Sequence, residues 1–445
     1  MDRSEEQWGL SYPPLGWNSW DCYGTTVTEQ EVLANAEFMA SHLKDSGWDT
    51  VVVDIAWADP DARAHGYNTD ARFAIDSYGR LQPAPNRFPS SREGQGFGPL
   101  ARTIHDMGLR FGIHTMRGIP RIAVRDNLPI LGTSATARDV ADTSNGCEWN
   151  PDMWGLNHSH PAAKAYYEST LELYAQWGVD FIKADDMLWP YHGDDIAAYR
   201  QAITHTGRPI FLSLSPGRDL SLARHDSLSQ NANSWRICDD LWDSWDDVVA
   251  NFSRFARWTP FASPGHWPDG DMLPLGRIGL RAERGQPRDS ALTLDEAKTL
   301  LTLWALGKSP LMFGGDLPTT SPETIDLLRN QGLLEVARTS FNNRELFREG
   351  ERIIWAAEGP HSVKWAAVFN SGNQALVTDV DTEDLDFSRS DTVVLDAWTR
   401  EEVAVHVTSA CESGVRGVTP GSVAIRLEIP AHGVRLLRVS PHPLG

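Results

Sequence analysis

Residues 50–57 read TVVVDIAW, an almost unbroken apolar run with three consecutive valines and a single carboxylate near its end. A run that does not alternate is what a strand requires when both its faces are buried in a parallel sheet. The residues before it agree. Thr28 and Glu31 have the spacing of a helix-opening capping box, and Gly47 supplies the left-handed residue that closes such a helix. The same helix-then-strand rhythm recurs, with strands expected at 109–116 (LRFGIHTM), 179–185 (VDFIKAD), 209–215 (PIFLSLS), 234–241, 259–265 and 310–314 (PLMFG). Helices are expected between them at 100–107, 162–177, 194–205, 246–258 and 294–306. With 14–17 as the first strand the count reaches about eight β/α units, the arithmetic of an α/β fold closed into a (β/α)8 TIM barrel. A doubly wound open sheet would carry a glycine fingerprint after its first strand, and none stands there.

A last helix is expected at 322–338, with Ser321 as its N-cap and Pro322 in its first position. Beyond it short alternating segments (RIIWAAEG, VKWAAVFN, ALVTDV, SVAIRLEI) are separated by Gly, Asn, Asp and Ser, the texture of a C-terminal antiparallel β-sandwich. The expected organisation is a catalytic barrel over 1–338 and a β-sandwich over 339–445.

The chain has 445 residues, with 60 Asp plus Glu against 40 Lys plus Arg and a formal charge of −20, which disfavours polyanionic partners. Neither nucleic acid nor a membrane is expected as partner, and no apolar run approaches the ~20 residues needed to cross a bilayer. The N-terminus lacks the basic and apolar regions of a secretory signal, so the cytoplasm is the expected location. Cys22, Cys147, Cys238 and Cys411 form no CxxC pair, and reduced thiols are expected at all four. A homo-oligomer stays open. The 18 Trp exceed both the 15 Phe and the 9 Tyr, a surplus suited to a ligand with one apolar face and many polar edges.

In such a barrel the chemistry sits at the C-terminal ends of the strands. Read in order, the polar and aromatic residues there are Trp20, Asp54, Trp57, His114, Lys183, Asp185, Asp186, Ser213, Ser215, Arg236, Asp239, Asp240 and Asp271. They are rich in carboxylates, with no His/Cys cluster of metal-ligand spacing and no GxSxG elbow, so neither a metal nor an organic cofactor is expected. Several Asp around a Trp-rich mouth suit glycoside hydrolysis. One carboxylate attacks or steadies an oxocarbenium-like centre while a second carboxyl protonates the leaving oxygen.

The segments PPLGWNSWDCYG, DSGWDTVVVDIAW, HDMGLRFGIH, WGVDFIKADD, NSWRICDDLWDSW, PGHWPDGDML and LWALGKSPLMFGGDL, in this order, resemble glycoside hydrolase family 27, the α-galactosidases of clan D. The resemblance implies that Asp185, in Lys183-Ala184-Asp185, is the nucleophile and that Lys183 bonds the sugar hydroxyls. It implies that Asp240, four residues after Arg236, is the acid/base. Asp186 and Asp239 are the adjacent alternatives, since side chains reverse direction at each residue along a strand. Trp20 corresponds to the indole that stacks on the sugar face, and Asp54, Asp271 and Met272 to further binding positions. His114, Cys147, Ser213, Ser215 and Trp57 complete the expected lining. The implied reaction is double displacement with retention, for which the carboxyls stand ~5 to 5.5 Å apart.

Four departures from the family pattern stand out. Ile55 replaces a carboxylate that holds O4 and O6, His114 replaces a tyrosine, Met187 replaces a cysteine and so leaves Cys147 a free thiol, and Ser213 or Ser215 replaces a glutamate. The expected activity is release of terminal α-D-galactopyranosyl residues. A β-L-arabinopyranosidase is the alternative, because that sugar is the same ring without the CH2OH that an acid at position 55 would serve. A non-catalytic sugar-binding barrel is the reading from another class. Arg117 is expected either at the aglycone or paired with an acid, and the 281–290 segment (RAERGQPRDS) as a solvated loop, a lid or a subunit contact.

Overall fold

The computed structural model describes residues 11–218, 220–382, 385, 392–407 and 423–441; Cys411 lies outside them. Eight parallel strands, β1 (Leu15–Asn18), β2 (Thr50–Val53), β3 (Arg110–Met116), β4 (Phe181–Asp185), β5 (Phe211–Leu214), β6 (Ser234–Arg236), β7 (Trp267–Asp269) and β8 (Leu311–Phe313), lie in the order β7-β6-β5-β4-β3-β2-β1-β8. The two ends of this sheet meet. Leu273, just past β7, pairs in parallel with Phe313; its amide donates to the Met312 carbonyl at 2.7 Å, and the Gly314 amide returns a bond to the Leu273 carbonyl at 2.9 Å. The sheet is therefore a closed (β/α)8 barrel.

The helices α1 (Glu29–His42), α2 (Gly98–Asp106), α3 (Pro161–Gln176), α4 (Gly193–Thr206), α5 (His225–Asn231), α6 (Trp245–Trp258) and α7 (Leu294–Leu306) connect the strands. Thr28 and Glu31 form the anticipated capping box on α1, and Thr293 and Glu296 form another on α7. Strand alternation divides the apolar residues into two layers. Val51, Val53, Ile113, Ile182, Ala184, Leu212 and Leu214 join the large cluster shared with the helices, whereas Val52, Phe181, Phe211, Trp267 and Met312 form a second cluster inside the barrel. Phe181 and Phe211 stack there, their rings 5.0 Å apart and nearly parallel. With both faces covered, a strand such as TVVV has no reason to alternate.

Three elements differ from the sequence expectation. The seventh strand is Trp267–Asp269 and not 259–265, because Pro260, Pro264 and Gly265 break the earlier segment into a 3-10 turn and a tight bridge between Ser263 and His266. The helix expected at 322–338 is two helices, α8 (Pro322–Leu328) and α9 (Gln331–Thr339), since the Asn330 side chain accepts from the Leu333 amide at 3.0 Å and starts the second one. The strand expected at 234–241 stops at Arg236, and the chain beyond it forms the barrel rim.

From Phe341 onward the strands are antiparallel. β9 (Phe341–Glu349), β10 (Arg352–Glu358), β11 (Lys364–Asn370), β16 (Val434–Pro441) and β13 (Thr392–Asp396) form one sheet in that order, and β12 (Leu376–Asp381), β15 (Val423–Ile429) and β14 (Val405–Val407) a second. Ile354, Val368 and Leu437 from the first sheet share a core with Val380, Ile425 and Leu427 from the second, which makes this region a β-sandwich. Among the described residues no helix is long and apolar enough to cross a membrane.

Gly16 shows how closely the barrel is packed. A Cβ there would lie 2.4 Å from the Thr50 carbonyl oxygen and 2.9 Å from the Met312 side chain. Gly16→Ala is expected to destabilise the barrel by about 1–3 kcal/mol. Differential scanning calorimetry checks this, and an unchanged thermal midpoint would reject the packing account.

Candidate active site

The alternation that builds the inner cluster also builds the site above it. Two residues beyond Val52 comes Asp54; two and four residues beyond Phe181 come Lys183 and Asp185; two beyond Phe211 comes Ser213; two beyond Ser234 comes Arg236. Each strand thus turns an inward position toward a polar side chain at its C-terminal end.

Lys183 and Asp54 form the buried ion pair at the floor. The Lys183 ammonium donates to Asp54 Oδ2 at 2.8 Å, and Asn18 Nδ2 donates to the same oxygen at 2.8 Å. Burial opposes both charges. The Asp54 carboxyl is nevertheless held below its ordinary value by Lys183 and His114, and Lys183 is held above its own by Asp54 and Asp185.

Asp185 receives His114 Nε2 at 3.0 Å on one oxygen and the Asp186 amide at 2.9 Å on the other. Burial alone would raise its pKa. The hydrogen bond and charge of His114, with the charge of Lys183, reverse that and hold the carboxyl well below the usual carboxylate range. An ionised carboxylate only accepts, so the proton of this contact resides on Nε2 of His114. Because the folded value is depressed, these contacts stabilise the fold above the ordinary carboxylate range, and that contribution is lost as the pH falls through the folded value.

Arg236 organises the opposite wall. One arm, Nη2, donates to Asp240 Oδ1 at 2.9 Å, and the other, Nη1, pairs with Asp271 Oδ1 at 2.6 Å. Asp271 adopts a left-handed φ of 83°, and its second oxygen accepts the Leu241 amide at 2.8 Å. Asp240 is part-exposed whereas Arg236 and Asp271 are buried, so the guanidinium ties a rim carboxylate to the interior. The neighbouring acids are differently placed. Asp186 is gripped by Arg117 at 2.6 Å, which resolves the expected alternatives for Arg117 in favour of pairing. Asp239 is exposed, with one oxygen on the Asp240 amide, and reaches the rim of the same cavity as Asp240.

A cavity of about 490 Å³ opens over these groups, within the ~300–1,000 Å³ range of small-molecule sites. Trp20, Asp54, His114, Lys183, Asp185 and Asp240 all line it, as does Ile55. Trp20 stacks on Tyr67 with centroids 6.0 Å apart, and Tyr67 leans on Trp149 at 5.8 Å, giving one aromatic wall. Ser213, Ser215, Arg236, Asp271 and Met272 lie around a void of about 20 Å³ that also touches Lys183. They support the lining from beneath.

Ser213, Ser215, Arg236, Asp271 and Met272 therefore do not line the main cavity, and two further expected lining residues, Trp57 and Cys147, also stand apart from it. Trp57 is in the core, because the left-handed Ala56 (φ 66°) turns the chain and directs the indole onto Phe97, Tyr174 and Trp177, while its Nε1 donates to the His114 carbonyl at 2.8 Å. It steadies His114 from behind. Cys147 is a buried free thiol beside Asp186, raised to about 12 chiefly by burial. Cys22 and Cys238 are likewise buried and free. Sequence reasoning missed Tyr67, Glu148, Trp189 and Arg218, all on loops whose approach to the mouth no local pattern encodes. The 281–290 segment brings Glu283 and Arg284 to the cavity rim. Among the described residues no group of three His, Cys, Asp or Glu is placed to hold a metal ion.

The family profile described as alpha galactosidase A matches residues 152–339. A family 27 β-L-arabinopyranosidase from Geobacillus stearothermophilus is 43% identical, with 98% of each chain covered and a TM-score of 0.90. The α-galactosidase of Cyamopsis tetragonoloba is 26% identical over 96% of this chain and 86% of its own. α-Galactosidase I from Mortierella vinacea shares the fold, with a TM-score of 0.72 at 23% identity over 97% of this chain and 98% of its own.

His114→Phe removes the hydrogen bond and the imidazole charge from Asp185 while keeping a ring in the space. The Asp185 pKa is expected to rise toward the ordinary carboxylate value, read by carboxyl carbon-13 NMR titration. An unmoved titration would show that His114 does not hold the carboxylate down.

Proposed function

This chain belongs to glycoside hydrolase family 27, and from that membership we propose that it is a retaining exo-glycosidase preferring terminal β-L-arabinopyranosyl residues over terminal α-D-galactopyranosyl residues. The observation that carries the preference is Ile55. It lines the cavity immediately after Asp54, at the position where the family pattern has a carboxylate that holds O4 and O6. β-L-arabinopyranose presents the same ring and the same axial O4 without the CH2OH, so an apolar wall costs it only the contact to O4, whereas galactose loses the contacts to both O4 and O6. The 43% identity to a β-L-arabinopyranosidase supports the same reading. The α-galactosidase reading is favoured by the curated relatives, while the Asp54 and Lys183 anchors suit either sugar.

In this proposal Asp185 attacks the anomeric carbon and Asp240 protonates the departing oxygen. Asp185 is suited to attack because its carboxyl is held well below the usual carboxylate range and it lines the cavity. Loss of its charge on forming the glycosyl-enzyme changes the field at Asp240, which then takes a proton from water as that water opens the intermediate. Lys183 and Asp54 hold ring hydroxyls, and Trp20 covers the face of the ring that carries its C–H groups. The proposed division is a barrel over 1–338 and a sandwich over 339–445, supported by the change from parallel to antiparallel strands between β8 and β9. The buried free thiols are compatible with the reducing cytoplasm as the proposed location.

Asp240→Asn is expected to lower kcat by ~10²–10⁴-fold on an unactivated glycoside. Asp185→Asn is expected to abolish turnover with the fold intact by circular dichroism. Substantial residual turnover would reject the role concerned, and proton NMR of the first-formed product must show the substrate's anomeric configuration. The preference is tested separately. Wild type is expected to show the higher kcat/KM on the p-nitrophenyl β-L-arabinopyranoside, and Ile55→Asp is expected to move the ratio toward the α-galactoside by ~10-fold or more, the effect of one hydrogen bond to a charged group. A ratio that Ile55→Asp leaves in place would remove Ile55 as the determinant.

A further inference from the structure

Beside the catalytic cavity lies a second one of about 550 Å³, and the two share Glu148, Trp149 and Trp189. Trp149 is 38% exposed and Trp189 52%, and they are the exposed tryptophans among the described residues. Both stand on the boundary between the cavities. An indole left in water costs apolar area that folding could have buried, so two of them at one boundary mark a surface built to be covered. The far wall is mainly apolar, from Leu188, Pro190, Tyr191 and Leu220. Tyr191 is fixed, its hydroxyl hydrogen-bonded to Ser227 Oγ at 2.8 Å and its face covered by the Arg224 guanidinium at 4.4 Å from the centroid. The loop after β5 continues from one cavity to the other, with Pro216 and Arg218 on the first and Leu220, Ser221 and Arg224 on the second.

We propose that this second cavity is the site for the leaving group, and that it selects glycosides whose aglycone is an aromatic ring system stacked on Trp189 and Trp149. The inference rests on the exo-glycosidase reading and adds the other half of the substrate. Continuity carries it: the two cavities share Glu148, Trp149 and Trp189, so a group attached to a sugar in the first can extend along those tryptophans into the second. A second sugar ring would need hydrogen-bonding groups around its perimeter, whereas the polar edges here are Glu148, Asp186, Ser221 and Arg224, of which Asp186 is already held by Arg117 and Arg224 already lies over Tyr191.

The test compares methyl, 2-naphthyl and disaccharide glycosides of one sugar in wild type, Trp189→Ala and Trp189→Phe. Taking each variant against wild type on the same substrate cancels the chemistry of the leaving group. Trp189→Ala is expected to lower kcat/KM on the naphthyl glycoside by about 10-fold more than on the methyl glycoside, chiefly through KM, with Trp189→Phe recovering much of the loss. Equal losses on both substrates, a loss confined to the disaccharide, or a change of oligomeric state by light scattering would overturn the proposal. A non-hydrolysable naphthyl thioglycoside read by tryptophan fluorescence separates the two levels of inference. Its binding is expected to weaken by about 10-fold in Trp189→Ala even if neither sugar series is turned over, whereas unchanged binding would overturn the leaving-group site and leave the hydrolase reading standing.

Discussion

The site depends on keeping carboxylates charged where water is scarce. Asp54, Asp185 and Asp271 are all buried, and an unpaired buried carboxylate takes up a proton and loses its use. Asp21 illustrates that outcome. It is fully buried, neither of its oxygens has a hydrogen-bond partner, and burial with the nearby Asp271 raises its carboxyl well above the ordinary value. Asp54 and Asp185 escape this because each has a dedicated donor, Lys183 and His114 respectively, whereas burial keeps Asp271 above the ordinary carboxylate value even though Arg236 is paired with it. Removing one partner of such a buried pair costs about 3–5 kcal/mol, so the array is a structural commitment as well as a catalytic one.

The barrel is what makes that array possible. A closed parallel sheet has one interior, and alternation delivers every second residue of each strand into it. Lys183 and Asp185 reach the same side as Phe181 only because the spacing is two, while Ile182 and Ala184 turn outward under the helices. The apolar belt of Val52, Phe181, Phe211 and Met312 excludes water from below. The polar tier above it then sits in a low-dielectric bowl, where ion pairs acquire their effect on acidity.

The same periodicity explains what could be read from the chain itself. Strand ends were legible because an apolar run stopping at a charged residue is a local signal, and the order of the motifs pointed to the family. What escaped was whatever depends on a turn. Ala56 in a left-handed conformation sends Trp57 into the core, and Asn330 divides a helix that looks continuous by apolar spacing. The seventh strand was displaced because an apolar stretch containing Pro260 and Pro264 resembles a strand in composition and cannot be one in hydrogen bonding. Tyr67, Trp189 and Arg218 lie on loops, and which loop reaches the mouth is set by the closed barrel and by no neighbour in sequence.

In the proposed reading Ile55 links specificity to this charge economy. An acid at that position would add a second anion beside Asp54 and oppose the field of Lys183 at Asp185, so the Asp185 pKa would move upward. An apolar residue there avoids that repulsion, and under the proposed preference it also withholds an anchor from a C6 hydroxyl. On that reading substrate preference and the acidity of Asp185 are coupled through one position. A substitution at position 55 that restores a carboxylate will move both, which a purely steric account of the pocket would not require.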